Sequence, residues 1–223
     1  MHSLLVIFVV ILVIIVVLEY RPVDTTTSSE GYASESDDYI KPIILNNIVT
    51  PQEANHIIEQ ATPLFKKSNV LGGFVEDIRK SETAWLKKDD PIVRNIFQRL
   101  SESFDFAIEN TEDLQVVRYE PGGFYNEHHD SCCDDSDHCR NFVKKSGQRV
   151  LTILIYLNDE FEDGHTDFPN LGISLKAEKY GGIVFRPLEN GGKRCHPHAL
   201  HKGTPVTSGV KYICNVWVRE KKF

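Results

Sequence analysis

The sequence predicts an α+β chain: a jelly-roll core (a double-stranded β-helix) braced by helices that precede it and led by an N-terminal membrane-anchor helix. Three observations carry that reading. An unbroken apolar run, Leu4 to Leu18, stands near the N-terminus. Two stretches of helical periodicity lie between residues 50 and 104. From Leu114 onward the pattern changes to short β-branched and aromatic runs separated by Gly, Pro, Asn and Asp, which is strand punctuation. Helices first and many short strands afterwards is the order of an α+β fold with a double sheet.

The apolar run is fifteen residues long. As a helix it would measure roughly 22 Å, short of a hydrocarbon core of about 30 Å, although Met1, Ser3 and Tyr20 can extend it and a bilayer can thin slightly. The same length suits a secretory signal. No small-x-small cleavage site follows in Leu18-Glu19-Tyr20-Arg21-Pro22, so residues 1–21 read as an uncleaved signal anchor, with cleavage and secretion as the alternative. Arg21 alone favours a cytosolic C-terminal side, but the tail ahead of the run is too short to be a convincing translocated domain. The expectation is a single-pass protein with its body in the lumen of the endoplasmic reticulum or an equivalent compartment. Residues 22–39, rich in Ser, Thr and acids, have little to bury and read as a flexible stalk. The globular domain is 40–223.

Of 223 residues, 26% are charged and 41% apolar, which excludes wholesale disorder and a collagen-like repeat. With 25 basic against 32 acidic residues the net charge is −7, and the short pairs Lys66-Lys67 and Lys87-Lys88 do not build the clustered basic face that nucleic acid requires. Five cysteines leave at least one thiol free or paired between chains.

Thr50-Pro51-Gln52-Glu53 is a helix start with a capping box, followed by Ala54, Ile57, Ile58 and Ala61 at helical spacing. Asp90-Pro91 begins a second helix, with Ile92, Val93, Ile96, Phe97, Leu100 and Phe104 on one face. Strands are expected at Leu114–Tyr119, Val150–Leu157, Gly182–Phe185 and Tyr212–Val218. His56 reads as ordinary helix surface, and Gly181-Gly182 and Gly191-Gly192 as turns.

The chemistry concentrates in Tyr119-Glu-Pro-Gly-Gly-Phe-Tyr-Asn-Glu-His128-His129-Asp130, placed at the end of the first strand. In extended backbone residues i and i+2 share a face, so His128 and Asp130 can converge while Glu127 and His129 turn away. Far downstream comes His201, with Lys211 ten residues beyond it. Two histidines and one carboxylate on one side of a metal leave the opposite positions open, as in non-haem Fe(II) oxygenases. His198 is an alternative third ligand to His201; His196 and His198 are otherwise expected behind the ligands or at the surface. Cys132, Cys133, His138 and Cys139 are close enough in sequence for zinc, but structural zinc sites separate their ligand pairs by a longer connector; disulfides or free thiols are the other reading.

From about Ile44 to Arg219 the chain resembles the catalytic region of the collagen-type prolyl 4-hydroxylases, within the 2-oxoglutarate/Fe(II) dioxygenases. The matching segments are DPIVRNIFQRLS, LQVVRYEPGGFYNEHHD, RVLTILIYLND, GHTDFP and HKGTPVTSGVKYICNVWVRE, in that order. The resemblance implies that His128, Asp130 and His201 bind Fe(2+), and that Lys211 and Tyr156 hold the distal carboxylate of 2-oxoglutarate. It further implies O2 as the second cosubstrate, L-ascorbate to restore oxidised iron, and a proline-containing peptide or protein as substrate. Tyr125 and Trp217 match positions of substrate binding and pocket lining, with core aromatics as the other reading. Gly123 stands where the family often has Gln, and His165 replaces the Glu of a Gly-Glu-Thr loop. Neither is a ligand, so both bear on substrate preference. The acidic, cysteine-bearing loop Ser131–Gln148 is expected to be a substrate lid or a disulfide-stapled insertion.

Overall fold

Both helix starts read from the sequence form as expected. Thr50 caps α1 (Pro51–Ala61): its hydroxyl accepts the Glu53 amide at 3.2 Å while the Glu53 carboxylate accepts the Thr50 amide at 2.8 Å, which satisfies two donors a helix end otherwise orphans. Asp90 caps α2 (Pro91–Phe104) by accepting the amides of Ile92 and Val93. His56 corrects the surface reading. Its Nε2 meets the Asp90 carboxylate at 3.1 Å, so an α1 side chain braces the cap of α2.

The computed structural model describes residues 39–68, 77–192 and 194–223. The expected anchor at 1–21 and the stalk up to residue 38 lie outside the described residues. Among the described residues, no helix is long and apolar enough to cross a membrane.

Among the described residues the strands follow one another as β1 (Ile43–Leu45), β2 (Lys66–Lys67), β3 (Arg79–Lys80), β4 (Glu82–Leu86), β5 (Leu114–Tyr119), β6 (Phe124–His128), β7 (Arg149–Tyr156), β8 (Phe161–Asp163), β9 (Thr166–Phe168), β10 (Ile173–Leu175), β11 (Gly182–Phe185), β12 (His201–Gly203), β13 (Val206–Gly209) and β14 (Lys211–Arg219). A short helix, α3 (Asp137–Lys144), interrupts the loop between β6 and β7. The large sheet has the order β1-β11-β7-β14-β5-β4-β2 and the small one β10-β9-β12-β6-β3, with β13 and β8 as a separate two-stranded pair. The pairings are antiparallel.

Alternation along the central strands decides what each face does. Leu151, Ile153 and Ile155 of β7, Cys214, Val216 and Val218 of β14, and Leu114 and Val116 of β5 pack with Ile57, Val93, Ile96 and Phe97 of the helices. The intervening residues Leu154, Tyr156, Ile213, Val117 and Tyr119 face inward with Phe168 of the small sheet. A mostly β core with few helices, two sheets sharing an interior and helices on the outer side, is consistent with a jelly-roll.

One expectation is corrected here. The His128–Asp130 pair does not end the strand Leu114–Tyr119. A turn through Gly122, whose φ of +78° suits glycine, reverses the chain into the separate strand β6, which ends at His128.

Candidate metal centre and adjoining cavity

The pairing of β6 with β12 sets His128 directly opposite His201. Their rings lie 4.2 Å apart between centroids. Each Nδ1 is bonded to the carbonyl two residues upstream, His128 to Asn126 at 2.8 Å and His201 to Ala199 at 3.0 Å. A carbonyl only accepts, so each ring carries its proton on Nδ1 and keeps the Nε2 lone pair for the interior. Both Nε2 atoms converge on Asp130, whose Oδ1 lies 4.0 Å from His128 and 3.9 Å from His201. The second oxygen, Oδ2, accepts from the Thr152 hydroxyl at 2.7 Å and the Trp217 indole N–H at 3.1 Å.

Burial, reinforced by the neighbouring His201, holds the His128 imidazole well below its ordinary pKa. Burial alone would raise the Asp130 carboxyl, but the two imidazoles, Arg149 and the Thr152 hydroxyl outweigh it and keep the group ionised. Two imidazoles and one carboxylate, with their ligand atoms within 4.8 Å of one another, could hold one divalent cation.

The triad opens on a cavity of about 280 Å³ that Lys211, Tyr119, Thr166, Leu154 and Ile213 also line. Lys211 is buried; its ammonium donates to the Gly164 carbonyl and lies 4.9, 5.5 and 5.8 Å from the ring centroids of Tyr156, Tyr119 and Phe161. Desolvation, with a smaller contribution from Lys176, pushes its pKa down to about 7. A caged ammonium at the edge of a cavity suits the carboxylate of a small ligand. The Tyr156 hydroxyl pairs with Thr166 at 3.1 Å, so that tyrosine flanks the ammonium with its ring and reaches the cavity through Thr166.

Tyr125 stacks on His128 at 3.5 Å between centroids, with the Arg79 guanidinium 4.4 Å from its ring. Trp217 lies under the Arg149 guanidinium at 3.3 Å and 6.1 Å from Trp85, whose ring is 43% exposed at the cavity rim. Arg149 is held in turn by Glu112, through contacts of 2.7 and 2.9 Å, and Glu112 also takes Arg219 at 2.7 Å.

Sequence reasoning did not single out Tyr119, Thr166, Arg79, Trp85, Thr152, Glu112 or Arg149. For Thr152 a signal existed, because alternation in Leu-Thr-Ile-Leu-Ile-Tyr places its hydroxyl on the same face as Leu154 and Tyr156. Arg79, followed by Lys80, reads as solvated surface until its burial is seen.

His201, not His198, joins the pair. His196 and His198 instead gather around Tyr39, His196 stacked at 4.3 Å and His198 edge-on at 5.8 Å. His129, expected to turn away, lines the cavity, because β6 ends at His128 and strict alternation ends with it. The zinc alternative falls to two disulfides, Cys132–Cys139 and Cys133–Cys195, which leave Cys214 as a buried thiol. The loop 131–148 is therefore a stapled insertion, and its Phe142 reaches the cavity.

A profile of the 2OG-Fe(II) oxygenase superfamily matches residues 114–219. The chain is 49% identical over 192 residues to a prolyl 4-hydroxylase relative of Acanthamoeba polyphaga mimivirus, covering 86% of this chain and 79% of that one. It is 32% identical over 200 residues to prolyl 4-hydroxylase 1 of Arabidopsis thaliana, covering 80% and 69%. The viral collagen prolyl hydroxylase of Paramecium bursaria Chlorella virus-1, solved as a 2OG complex, superposes with a TM-score of 0.66 at 29% identity, over 82% of this chain and 98% of that one. With its paired imidazoles, its single carboxylate and its caged lysine, the chain belongs to the prolyl 4-hydroxylase family of 2OG-Fe(II) oxygenases.

Proposed function

We propose that the protein hydroxylates peptidyl proline to 4-hydroxyproline, with 2-oxoglutarate and O2 as cosubstrates and Fe(2+) as the metal. The observation that carries this reading is the convergence of His128 Nε2, His201 Nε2 and Asp130 Oδ1 at the wall of a cavity that also holds the Lys211 ammonium. When bound, ferrous iron would activate O2, so that one oxygen atom enters succinate as 2-oxoglutarate loses carbon dioxide and the other enters the proline ring.

The chain's own residues do the rest. His128, His201 and Asp130 hold the metal from one side. Lys211 pairs with the distal carboxylate of the cosubstrate, and Tyr156 orients it by way of Thr166. Leu154 and Ile213 exclude water from the interior. The exposed Trp85 offers an aromatic face at the cavity rim, with Tyr125 and Trp217 lining the cavity below it, to a proline-rich segment in polyproline II conformation, which binds such surfaces at low ordering cost. Ascorbate would serve as the reductant for iron oxidised in uncoupled turnovers.

For localisation we infer a membrane-tethered protein with a lumenal catalytic domain, on the apolar run Leu4–Leu18; secretion after cleavage is the alternative. The two disulfides support an oxidising compartment.

The test is succinate release from 2-oxoglutarate by the iron-loaded protein, with and without a proline-rich peptide, and mass spectrometry of the peptide. A gain of 16 mass units (~16, one oxygen) on proline is the expected result. Peptide-independent succinate release with unmodified proline would point to another residue or a small molecule. No succinate under any condition would leave a catalytically idle binding module.

A further inference from the structure

We propose that Thr152 and Trp217 are positioning residues that choose which oxygen of Asp130 meets the metal. The inference rests on the oxygenase reading of the triad and adds a role for two side chains on the opposite sheet.

Thr152 and Trp217 are direct cross-strand partners in the β7–β14 pairing. Alternation turns both inward, toward the triad. His128 and His201 are likewise cross-strand partners, on β6 and β12 of the small sheet. Asp130 lies between these two pairs and divides its carboxylate between them. Oδ1 sits 4.0 and 3.9 Å from the two Nε2 atoms. Oδ2 takes the hydroxyl and the indole N–H, at 2.7 and 3.1 Å.

A carboxylate oxygen has about two lone-pair sites. Two donors on Oδ2 therefore fill it and leave Oδ1 as the oxygen free to coordinate. A carboxylate without those donors could turn and chelate through both oxygens, taking a coordination position that the cosubstrates need. Both donors are rigidly held. Thr152 is 1% exposed, and the Trp217 indole is pressed beneath Arg149, which also donates to the Asp130 carbonyl at 3.2 Å. Hydrogen bonds that aim a metal ligand typically change metal affinity by about 10- to 100-fold when removed.

The experiment separates the hydroxyl from the shape of the side chain. Anaerobic apoprotein is titrated with Mn2+ in the presence of 2-oxoglutarate, and the free ion is read by electron paramagnetic resonance. Thr152→Val keeps the branched shape and loses the donor; Thr152→Ser keeps the donor and loses a methyl group. The expected result is a Kd for Mn2+ raised by about 10-fold in Thr152→Val and near the parent value in Thr152→Ser. Trp217→Phe provides an independent loss of the second donor and is expected to weaken Mn2+ binding in the same direction. Equal affinity in Thr152→Val and the parent would overturn the assignment, as would a Thr152→Ser variant as weak as Thr152→Val, since packing would then be the cause. A parent that takes up Mn2+ no better than Asp130→Ala would overturn the metal site itself and this inference with it.

Discussion

The disulfide between Cys133 and Cys195 joins the loop that leaves Asp130 to the segment that leads into His201. It spans 62 residues of sequence, whereas Cys132–Cys139 spans only 7. Chain-entropy arguments assign about 4 kcal/mol to the longer closure and about 2 to the shorter. The double variant Cys133→Ser/Cys195→Ser is therefore expected to lose more stability in urea denaturation than Cys132→Ser/Cys139→Ser. It should also bind metal more weakly, because only the longer link ties together the two segments that carry the proposed ligands.

Replacing His201 by Ala should abolish metal uptake and turnover, and His198→Ala should leave both near the parent level. Metal content by atomic absorption, set beside succinate release, checks the pair. Loss of metal in the His198 variant would transfer the ligand role.

If Lys211 pairs with 2-oxoglutarate as proposed, its lowered pKa, about 7 in the protein without cosubstrate, gives binding a pH dependence. The lysine is charged below that pH and neutral above it, and a bound carboxylate favours the charged form. Above pH 7 binding must therefore take up a proton. The apparent Kd is expected to rise by up to about tenfold per pH unit until the pKa of the complex is reached. Calorimetry in buffers of different ionisation enthalpy would detect the proton. Lys211→Ala should bind far more weakly and show no such slope; an unchanged slope in that variant would move the titration elsewhere.

Glu112 is buried between Arg149 and Arg219. Glu112→Ala leaves two guanidinium groups without their carboxylate and is expected to cost about 3–5 kcal/mol, read by chemical denaturation. Because Arg149 covers the Trp217 indole, the same variant should raise the KM for peptide.

Much of this architecture is local enough to be written in the sequence. The strands Leu114–Tyr119 and Gly182–Phe185 have the bounds their residue pattern indicates, and the other two expected strands differ by one residue at each end. Caps at Thr50 and Asp90 are equally local. Three-residue strands such as β9 and β12 exist through pairing with partners distant in sequence, which no short window records. The helix α3 hides inside a cysteine-rich loop, although Ser136 caps it. At the site, the proposed ligands and Lys211 carry sequence signals because metal and carboxylate chemistry restricts residue type and spacing. Glu112, Arg149 and Arg219 do not, because their meaning lies in contacts that span 37 and 107 residues.

The strict alternation of β7 has a consequence for how the gene can change. Neighbours Leu151 and Thr152 answer to different masters, one to the helices and the other to Asp130. A substitution at either position disturbs one side of the sheet. A codon gained or lost within that strand would shift every later side chain to the wrong side, sending hydroxyls among the helices and leucines against the carboxylate. Length variation should therefore be tolerated in the surface loops and forbidden in the central strands.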